Sequence, residues 1–419
     1  MSARDPQHLE DRRRHGSQRL RGDQRRRGEW SGIGPVDAWG TRRRSTLLPE
    51  LTLVHADLHN HTLLSDGAGD PADAFASMRR EGLDVAAITD HLTVGPTVLG
   101  RLGLAGKGSL DRAGWAQLAE LADAANDEGT FVALRGFEWS HRRLGHVSVW
   151  DSTGLARPCP DDESLPALWQ WLLTSGDARH ALAGFNHPGG RGTARFGGFH
   201  FEQALVERMV GLELFNKADD YLFEGAGQEG SPLVDCLARG WRPALLGVSD
   251  EHGSAWGAPE GKGRSGLWVS ELSRWGVREA LLSRRTFATR AKGLRLAVTV
   301  GGVPMGDVLR HSRGDVEIDV DVDMGPGSAG RPLSIQVLRP AERMPAVAAA
   351  VDAHVPGPEE RPVRLHVELD AGEGAWAVVR VSDPSQPADP RADAQYARLG
   401  RTVAYASPVW LDAGPPTVS

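Results

Sequence analysis

The chain has 419 residues, of which 40% are apolar and 25% are charged, as in an ordinary globular protein. Its two cysteines, Cys159 and Cys236, are too few for a disulfide framework or a thiolate zinc cluster. The length fits two or three domains. No apolar run reaches the ~18 residues that a membrane span needs, and no signal peptide is visible. We therefore expect a soluble, cytoplasmic protein.

The charge is distributed unevenly along the chain. The net charge is −7, but residues 1–44 hold 12 Arg against six Asp and Glu, which leaves −13 on the remainder. An acidic body disfavours broad nucleic-acid binding and suits a protein that gathers cations. We predict that residues 1–48 form a disordered, Arg-rich tail, either a solvated and dispensable extension or a contact for nucleic acid or an acidic partner.

Residues 49–290 alternate between helical and strand patterns. Asp70 and Pro71 form a good helix start, because an N-cap carboxylate precedes a proline in the first turn. Further helices are predicted near 112–128, 164–174, 201–209 and 232–239. Short apolar runs that predict strands lie at 85–88, 131–137, 181–186, 210–215 and 244–248. This repetition predicts a mostly parallel α/β sheet whose active face lies at the carboxyl ends of the strands.

Residues 291–419 change to a period of two. Segments such as 294–300, 316–322, 333–337, 365–369 and 376–381 alternate apolar and polar residues between Gly and Pro. Alternation of this kind is typical of half-buried strands. We predict a small antiparallel β-sandwich as an accessory domain, with a long loop at 341–362.

The residues with the clearest chemistry begin after the first strand, in Asp57-Leu-His-Asn-His-Thr62 and Ser65-Asp66-Gly67. His59 and His61 are two residues apart, so on a strand they would point to one face about 6–7 Å apart. Two imidazoles on one face can bind one metal ion. Asp66 adds a carboxylate. Alone, a His-x-His pair is a weak signal.

Other predicted strand ends strengthen this signal. The complete set of candidate ligands is His59, His61, Asp66, His91, Glu138, His146, His187, Asp250 and His252. Nine ligands are too many for one tetrahedral ion and suit two or three ions with a bridging carboxylate. Mixed imidazole and carboxylate shells favour Zn, Mn or Fe over Ca or Mg.

Taken together, His-x-His-Thr…Ser-Asp-Gly, Thr-Asp-His, Glu138, Gly-His, Asn-His-Pro and Ser-Asp-x-His resemble the PHP (polymerase and histidinol phosphatase) family. The spacing and the tail are most similar to its CehA/McbA-type metallohydrolase branch. The match runs from about Val54 to Asp307. The resemblance implies a distorted (β/α)7 barrel that holds three metals, followed here by the β-sandwich.

The resemblance also implies a ligand set for each ion. His59, His61, Glu138 and Asp250 would hold the first ion. Glu138, His146 and His187 would hold the second, with Glu138 bridging, and Asp66, His91 and His252 would hold the third. Two ions that flank a water molecule lower its pKa toward neutrality, so no protein nucleophile is required. Glu138, Asp250 and His252 are the residues that we assign to catalysis.

The substrate is less well specified. Arg191 and Lys217 follow strand ends, and we expect them to bind an anionic small-molecule substrate. We favour phosphoester cleavage. The alternatives are hydrolysis of an amide, ester or carbamate, a nuclease, and a non-catalytic metal-binding module. Near the site, we expect Asp90 to orient an imidazole rather than to bind metal itself. We expect Glu213 to be a structural group or, alternatively, a buried group behind a ligand or in the substrate site, and Trp139 and Trp256 to line the pocket.

Overall fold

The computed structural model describes residues 43–94, 108–156, 164–189, 195–224, 230–257, 261–325, 327–356, 362–372 and 374–413. Most of residues 1–48 and the whole of Arg191's loop therefore lie outside the described part. Residues 43–48, which the sequence assigned to the tail, are packed: Arg43 pairs with Asp84 at 2.6 Å and Leu48 is buried. Within the described residues, no helix is long and apolar enough to cross a bilayer.

The first part of the chain contains eleven described strands. They are β1 (Thr52–Asp57), β2 (Val85–Ile88), β3 (His91–Val94), β4 (Val132–His141), β5 (Gly145–Trp150), β6 (Leu182–Asn186), β7 (Met209–Asn216), β8 (Asp219–Asp220), β9 (Ala244–Val248), β10 (Arg264–Val269) and β11 (Thr286–Thr289). Strands β1, β2, β6, β7 and β9 are buried along their whole length, as the continuous apolar runs predict.

Helices connect these strands. They are α1 (Pro71–Arg80), α2 (Arg112–Ala125), α3 (Leu165–Thr174), α4 (Pro232–Ala238) and α5 (Arg274–Leu282). The predicted start of α1 is confirmed: the Asp70 side chain accepts a hydrogen bond from the main-chain N–H of Ala72, and Pro71 opens the helix. The same capping occurs at α2, where Asp111 accepts from Gly114.

Hydrogen bonding orders the strands β10-β1-β2-β4-β5-β6-β7-β9. The β1–β2, β2–β4, β6–β7 and β7–β9 pairs are parallel, while β5 is antiparallel to both of its neighbours. The fold is thus a mixed α/β structure with one large sheet and few helices. The prediction of a mostly parallel sheet is corrected by β5, β10 and β11, which run antiparallel to their neighbours; β4 and β5 are joined by a short hairpin rather than by a helical crossover.

One predicted helix is wrong. The segment 201–209 forms only a single 3₁₀ turn at Gln203–Leu205 before β7 begins at Met209. Glu202 caps this turn through the N–H of Ala204. Because β7 takes Met209 and Val210, a strand competes successfully for residues that read as helical.

The later part of the chain forms ten more strands and one short helix. They are β12 (Arg295–Val300), β13 (Val303–Pro304), β14 (Val308–Arg310), β15 (Arg313–Asp323), β16 (Pro332–Arg339), β17 (Ala346–His354), β18 (Val363–Asp370), β19 (Trp376–Asp383), α6 (Ala394–Ala397), β20 (Arg401–Ala406) and β21 (Val409–Asp412). Every alternating segment is a strand. The predicted long loop is wrong in its centre, because β17 pairs with β16 along its length.

These later strands divide between two sheets. Strands β12, β13, β15 and β18 form a separate antiparallel sheet, whereas β20 pairs with β11 and so continues the large sheet into β19, β16 and β17. One apolar core also crosses the predicted boundary at 290, since Trp268 and Phe287 pack in the same cluster as Leu296 and Ile335. The two parts of the chain are therefore in direct contact.

Candidate metal centre

The first two candidate ligands follow β1 directly. His59 and His61 are fully buried, and His59 Nε2 lies 3.0 Å from His61 Nε2. Asp250, two residues beyond β9, completes this group: its Oδ1 is 3.2 Å from His61 Nε2 and 3.7 Å from His59 Nε2. The loop after β1 and the loop after β9 therefore meet, as the sequence requires for a shared site.

Glu138 lies at the centre of the cluster. Its side chain is fully buried on β4, and Oε1 lies 3.2 Å from a ring nitrogen of each of His59, His146 and His187. Its Oε2 lies 2.5 Å from His91 Nδ1. One carboxylate thus contacts imidazoles from four different segments, which is the geometry of a bridging ligand.

A third group lies at the outer side of the cluster. Asp66 Oδ1 is 3.5 Å from His252 Nε2, and Asp66 Oδ2 is 3.5 Å from His91 Nε2. The Asp66 side chain is about half exposed. The turn that carries it depends on Gly67, because a Cβ there would lie 2.6 Å from the main-chain nitrogen of Thr62.

All nine predicted residues therefore converge, but they group differently from the sets that the resemblance implies. Ligand atoms within 4.8 Å of one another form four overlapping groups: His61, Asp66, His91 and His252; His59, His61 and Asp250; His59, Glu138 and His187; and His91, Glu138 and His146. His59, His61, His91 and Glu138 each belong to two groups. The division of ligands among separate ions consequently stays a prediction.

The donor atoms fit divalent cations. His61 Nδ1 and Asp250 Oδ1 are buried without a hydrogen-bond partner among the described residues. Buried polar atoms are normally hydrogen-bonded, so such atoms call for an explanation. The Nε2 atoms of His59 and His61 face each other, and there is room for at most one proton between these two nitrogen atoms. A cation that accepts the lone pairs of these atoms would satisfy both features.

The electrostatics of the cluster agree with this fit. Burial alone would raise the pKa of Glu138 and of Asp250, but the surrounding imidazoles, with His59 foremost, hold both values well below the usual range. Burial lowers the pKa of His61 to about 4, against the opposite effect of the nearby Asp250 carboxylate. The two carboxylates are thus ionised and His61 is neutral at pH 7, as metal ligands must be.

His59 differs from His61. Burial would lower its pKa, but the carboxylates of Glu138, Glu213 and Asp250 outweigh burial and raise the pKa well above the usual value. Glu213 accounts for part of this effect because its Oε1 lies 2.8 Å from His59 Nδ1. A carboxylate on the far ring nitrogen fixes the tautomer of a ligating histidine and leaves Nε2 to face the ion.

Glu213 therefore does more than fill the core. Besides His59, it accepts hydrogen bonds from the main-chain N–H of His187 at 2.6 Å and from Asn216 Nδ2 at 2.9 Å. It joins β1, β6 and β7 beneath the cluster. The sequence left the role of Glu213 open. Its contacts are those of a group that lies directly behind a candidate ligand and holds it in place.

Asp90 has a different role from the predicted one. It accepts hydrogen bonds from the N–H and the hydroxyl of Thr62, both at 2.7 Å, and from Ser65 Oγ at 2.6 Å. It holds the loop between His61 and Asp66 and orients no imidazole among the described residues. The prediction was wrong because the Asp90 carboxylate, directly before β3, is occupied by Thr62 and Ser65 of the loop that follows β1.

Sequence reasoning missed two residues that orient ligands. Asn186 donates to Glu138 Oε1 at 2.7 Å, and Ser140 Oγ lies 2.6 Å from His91 Nδ1. Asn186 is the last residue of β6, directly before His187. A buried amide at a strand end is a signal for such a role, whereas the β3–β4 pairing that brings Ser140 close to His91 left no trace in the sequence.

The cluster opens into a cavity of about 350 Å³. Among the described residues, the lining comprises His91, His146, His187, Asn216, Lys217, Asp219, Tyr221, Asp250 and His252. Lys217 is half exposed, and its Nζ lies 3.1 Å from Asp250 Oδ2. Arg191 lies outside the described residues. Asn216, Asp219 and Tyr221 were not identified from the sequence.

The two predicted wall tryptophans are elsewhere. Trp139 and Trp256 are buried and do not line the cavity in the described part of the chain. Trp256 instead donates from its indole nitrogen to the carbonyl of His61 at 3.1 Å. It packs behind the ligand loop, where Gly69 leaves room for its ring.

Backbone strain marks the same site. His187, Lys217 and Asp250 have φ values of 26°, 52° and 47°, in the left-handed region that non-glycine residues rarely adopt. They follow β6, β7 and β9 respectively, and all three line the cavity. Strained residues of this kind persist where the surrounding structure fixes them, and they cluster at functional sites.

Comparisons with known proteins give structural neighbours only. No family model and no curated protein matches the sequence. A Bacteroides vulgatus two-domain protein containing a predicted PHP-like metal-dependent phosphoesterase is 18% identical, with a TM-score of 0.43, over 87% of this chain and 99% of that one. The PHP description matches the family that the sequence motifs resemble; the CehA/McbA branch is not named.

Two further neighbours cover less of the chain. A proposed metal-dependent phosphoesterase from Bifidobacterium adolescentis is 15% identical, with a TM-score of 0.28, over 54% of this chain and 95% of that one. An amidohydrolase from Chromobacterium violaceum with bound sulfate is 16% identical, with a TM-score of 0.24, over 47% of this chain and 87% of that one.

Proposed function

We propose that the chain is a metal-dependent hydrolase of the PHP type, in which a distorted (β/α)7 barrel holds two or three divalent cations and the later strands form a β-sandwich. The observation that carries this proposal is the convergence of the nine ligand side chains around Glu138. They come from loops and strands spread between His59 and His252, yet their donor atoms form four overlapping groups, and the atoms of each group lie within 4.8 Å of one another. Histidines that occur in a sequence by chance do not bring their donor atoms into overlapping groups of this kind.

The residues would divide the work as follows. Bound cations would lower the pKa of water toward neutrality and offset negative charge that develops on the substrate. Glu138 would bridge, with Asn186 fixing its Oε1. Glu213 would hold His59 and the loop of His187 in place. The assignments of Asp250 and His252 to catalysis rest on their place at the cavity and in the cluster, and that of Glu138 rests on its place in the cluster.

The character of the cavity favours a small anionic substrate. A pocket for an aromatic carbamate would be lined by apolar and aromatic side chains. Among the described residues, every lining side chain is polar, Tyr221 is the single phenol ring, and Lys217 supplies a cation. We therefore propose a phosphomonoester or nucleotide, whose charge Lys217 would help to bind, and we keep amide, ester or carbamate hydrolysis as the alternative outcome of the test.

Metal content tests the first half of the proposal. Elemental analysis of protein purified without chelator should find two to three Mn, Zn or Fe per chain. His59→Ala together with His61→Ala should lose most of this metal and all turnover. The matched control is His354→Ala with His366→Ala, since both of these histidines are exposed on the later strands. Less than one metal ion per wild-type chain would overturn the proposal.

A substrate panel tests the second half. It should contain 4-nitrophenyl phosphate, nucleotides, an oligonucleotide and 1-naphthyl N-methylcarbamate. We expect turnover of the phosphomonoesters, and lower turnover with Lys217→Met than with the control Lys292→Met, which changes a lysine that pairs with Glu81 and does not line the cavity. Turnover of the carbamate alone would refute the phosphoester substrate and leave the metal centre intact.

A further inference from the structure

One wall of the cavity is a short segment, residues 219–224, that follows β7. Its first two residues, β8, pair back onto the end of β7. Asp219 and Tyr221 line the cavity, whereas Asp220, Leu222 and Phe223 are buried on the other side. The segment therefore has a face toward the substrate site and a face toward the rest of the protein.

The buried face is held by the later strands. Tyr405, on β20, is fully buried, and its hydroxyl donates to the carboxylate of Asp220, whose two oxygens lie 3.0 and 3.1 Å away. The Tyr405 ring also packs on Phe215, the β7 residue that pairs with Asp220, with the ring centroids 5.2 Å apart. Tyr405 thus fixes both strands of the small β7–β8 hairpin.

Arg391 provides a second attachment. Its Nη1 donates to Glu224 Oε2 at 2.6 Å, and its Nη2 donates to the main-chain carbonyl of Asp220 at 3.1 Å. Asp389 accepts from Arg391 Nε and Nη2, both at 2.9 Å, which holds the guanidinium in one orientation. A guanidinium that is bound by Asp389 on one side and by Glu224 and Asp220 on the other is a rigid contact rather than a loose surface ion pair.

The wall in turn reaches the metal cluster. A Cβ at Gly189 would lie 2.9 Å from Tyr221 Cε1, and it would also overlap Glu224, so both side chains pack directly against the main chain two residues beyond His187. Because Arg391 holds Glu224 and Tyr405 holds Asp220, the contacts form a chain from the later strands to the ligand loop of β6.

We propose that Tyr405 and Arg391 are positioning residues for substrate selection, because they fix the segment that presents Asp219 and Tyr221 to the cavity. The later strands are then part of the specificity apparatus rather than an appended domain. This inference rests on the proposed function for its kinetic consequence, but its structural consequence holds for the protein whatever it hydrolyses.

The structural consequence is tested by amide hydrogen exchange on the full chain. Tyr405→Phe keeps the ring and removes the hydroxyl, and Arg391→Met removes the guanidinium group. Either variant should speed exchange in residues 219–224 by about tenfold or more, while exchange in β1 and β4 is unchanged. The control is Arg313→Met, which removes an exposed arginine that pairs with Glu368 on the separate sheet.

The kinetic consequence separates positioning from general stability. With whichever substrate of the panel the wild type turns over, the two variants should raise KM about tenfold and leave kcat and metal content close to wild type. Arg391 is partly exposed, so Arg391→Met remains a test if Tyr405→Phe does not fold.

Two results would overturn the inference. One is unchanged exchange in residues 219–224 in both variants. The other is an equal rise of exchange throughout the chain, which would make the contacts merely stabilising. A wild type without turnover on any substrate would refute the proposed function alone, because the exchange measurement would still decide whether the later strands hold this wall.

Discussion

The protein contains two buried polar clusters that differ in whether their polar atoms find hydrogen-bond partners within the protein. In the later strands, Arg380 is fully buried, and its guanidinium donates to Gln336 Oε1, Thr402 Oγ1 and the carbonyl of Gly400 at 2.6 to 3.1 Å. Its donors therefore face acceptors. Around Glu138, by contrast, ring nitrogens face one another, and His61 Nδ1 and Asp250 Oδ1 have no hydrogen-bond partner in the described structure.

The difference shows how a structural network can be told from a reactive one. A buried polar network stabilises a fold only when its members satisfy each other. The Arg380 network does so within the protein. The cluster around Glu138 presents lone pairs to a common space, so its satisfaction requires a group from outside. The two clusters should consequently respond differently to substitution.

The largest effect is expected at the bridging carboxylate. Glu138→Gln keeps the size of the side chain but removes the charge that five imidazoles surround. We expect turnover to fall by more than the ~10–100-fold that is typical of groups behind a metal ligand, with metal content reduced and the unfolding midpoint little changed. Steady-state kinetics and elemental analysis check this.

The matched control for Glu138→Gln is Glu120→Gln, an exposed position on α2. It should change neither metal content nor turnover. If Glu138→Gln binds metal and turns over substrate as the wild type does, then the cluster is a structural network after all, and the contrast with Arg380 disappears.

Arg380→Met should show the opposite pattern. The change leaves the acceptors on Gln336, Thr402 and Gly400 buried without their donor, which costs about 3 kcal/mol of unfolding free energy. Metal content per folded chain should not change. Urea unfolding and elemental analysis measure the two quantities. Arg364→Met, at an exposed arginine that pairs with Asp319, is the control and should change stability much less.

A smaller effect on metal binding is expected at Glu213, which contacts the candidate ligand His59 from behind. Glu213→Gln retains an acceptor but gives up the charge beside His59 Nδ1, so we expect metal affinity to fall by roughly 10–100-fold. Competition with a chelator measures it. Affinity equal to that of Glu120→Gln would mean that Glu213 only fills the space between β1, β6 and β7.

The smallest effect concerns a histidine that belongs to neither cluster. His55 is buried on β1, and burial, with Arg43 and Arg264 adding to it, holds its pKa well below the usual value. The unfolded chain therefore binds a proton that the folded chain does not, so His55 lowers stability progressively as the pH falls below about 6.5.

His55→Leu should remove this part of the pH dependence. Unfolding midpoints measured between pH 7 and pH 5 should fall less steeply in His55→Leu than in the wild type. Parallel pH profiles would contradict a neutral, buried His55. The comparison is a difference between two proteins, so the carboxylates that titrate in both cancel to first order.

The sequence predicted which side chains converge better than it predicted the elements that carry them. Polar residues such as Glu138 and His187 stand out against apolar strand patterns, and their types restrict the chemistry wherever the strands go. The antiparallel β5, which brings His146 to Glu138, was not predicted, nor was β17 within the expected loop. Strand pairing depends on partners that are distant in sequence, and short local patterns do not encode it.

Local chemistry, then, was determined by the sequence alone: the capped start of α1, the period-two strands of the later part, and the set of side chains able to bind metal. Only the tertiary structure decided which imidazole faces which carboxylate, that Asp90 serves the ligand loop, and that Tyr405 reaches Asp220 across 185 residues. The reason is physical: caps and periodicity are interactions between neighbours in the chain, whereas ligand geometry and the shape of the cavity arise from packing between segments that meet only in the folded protein.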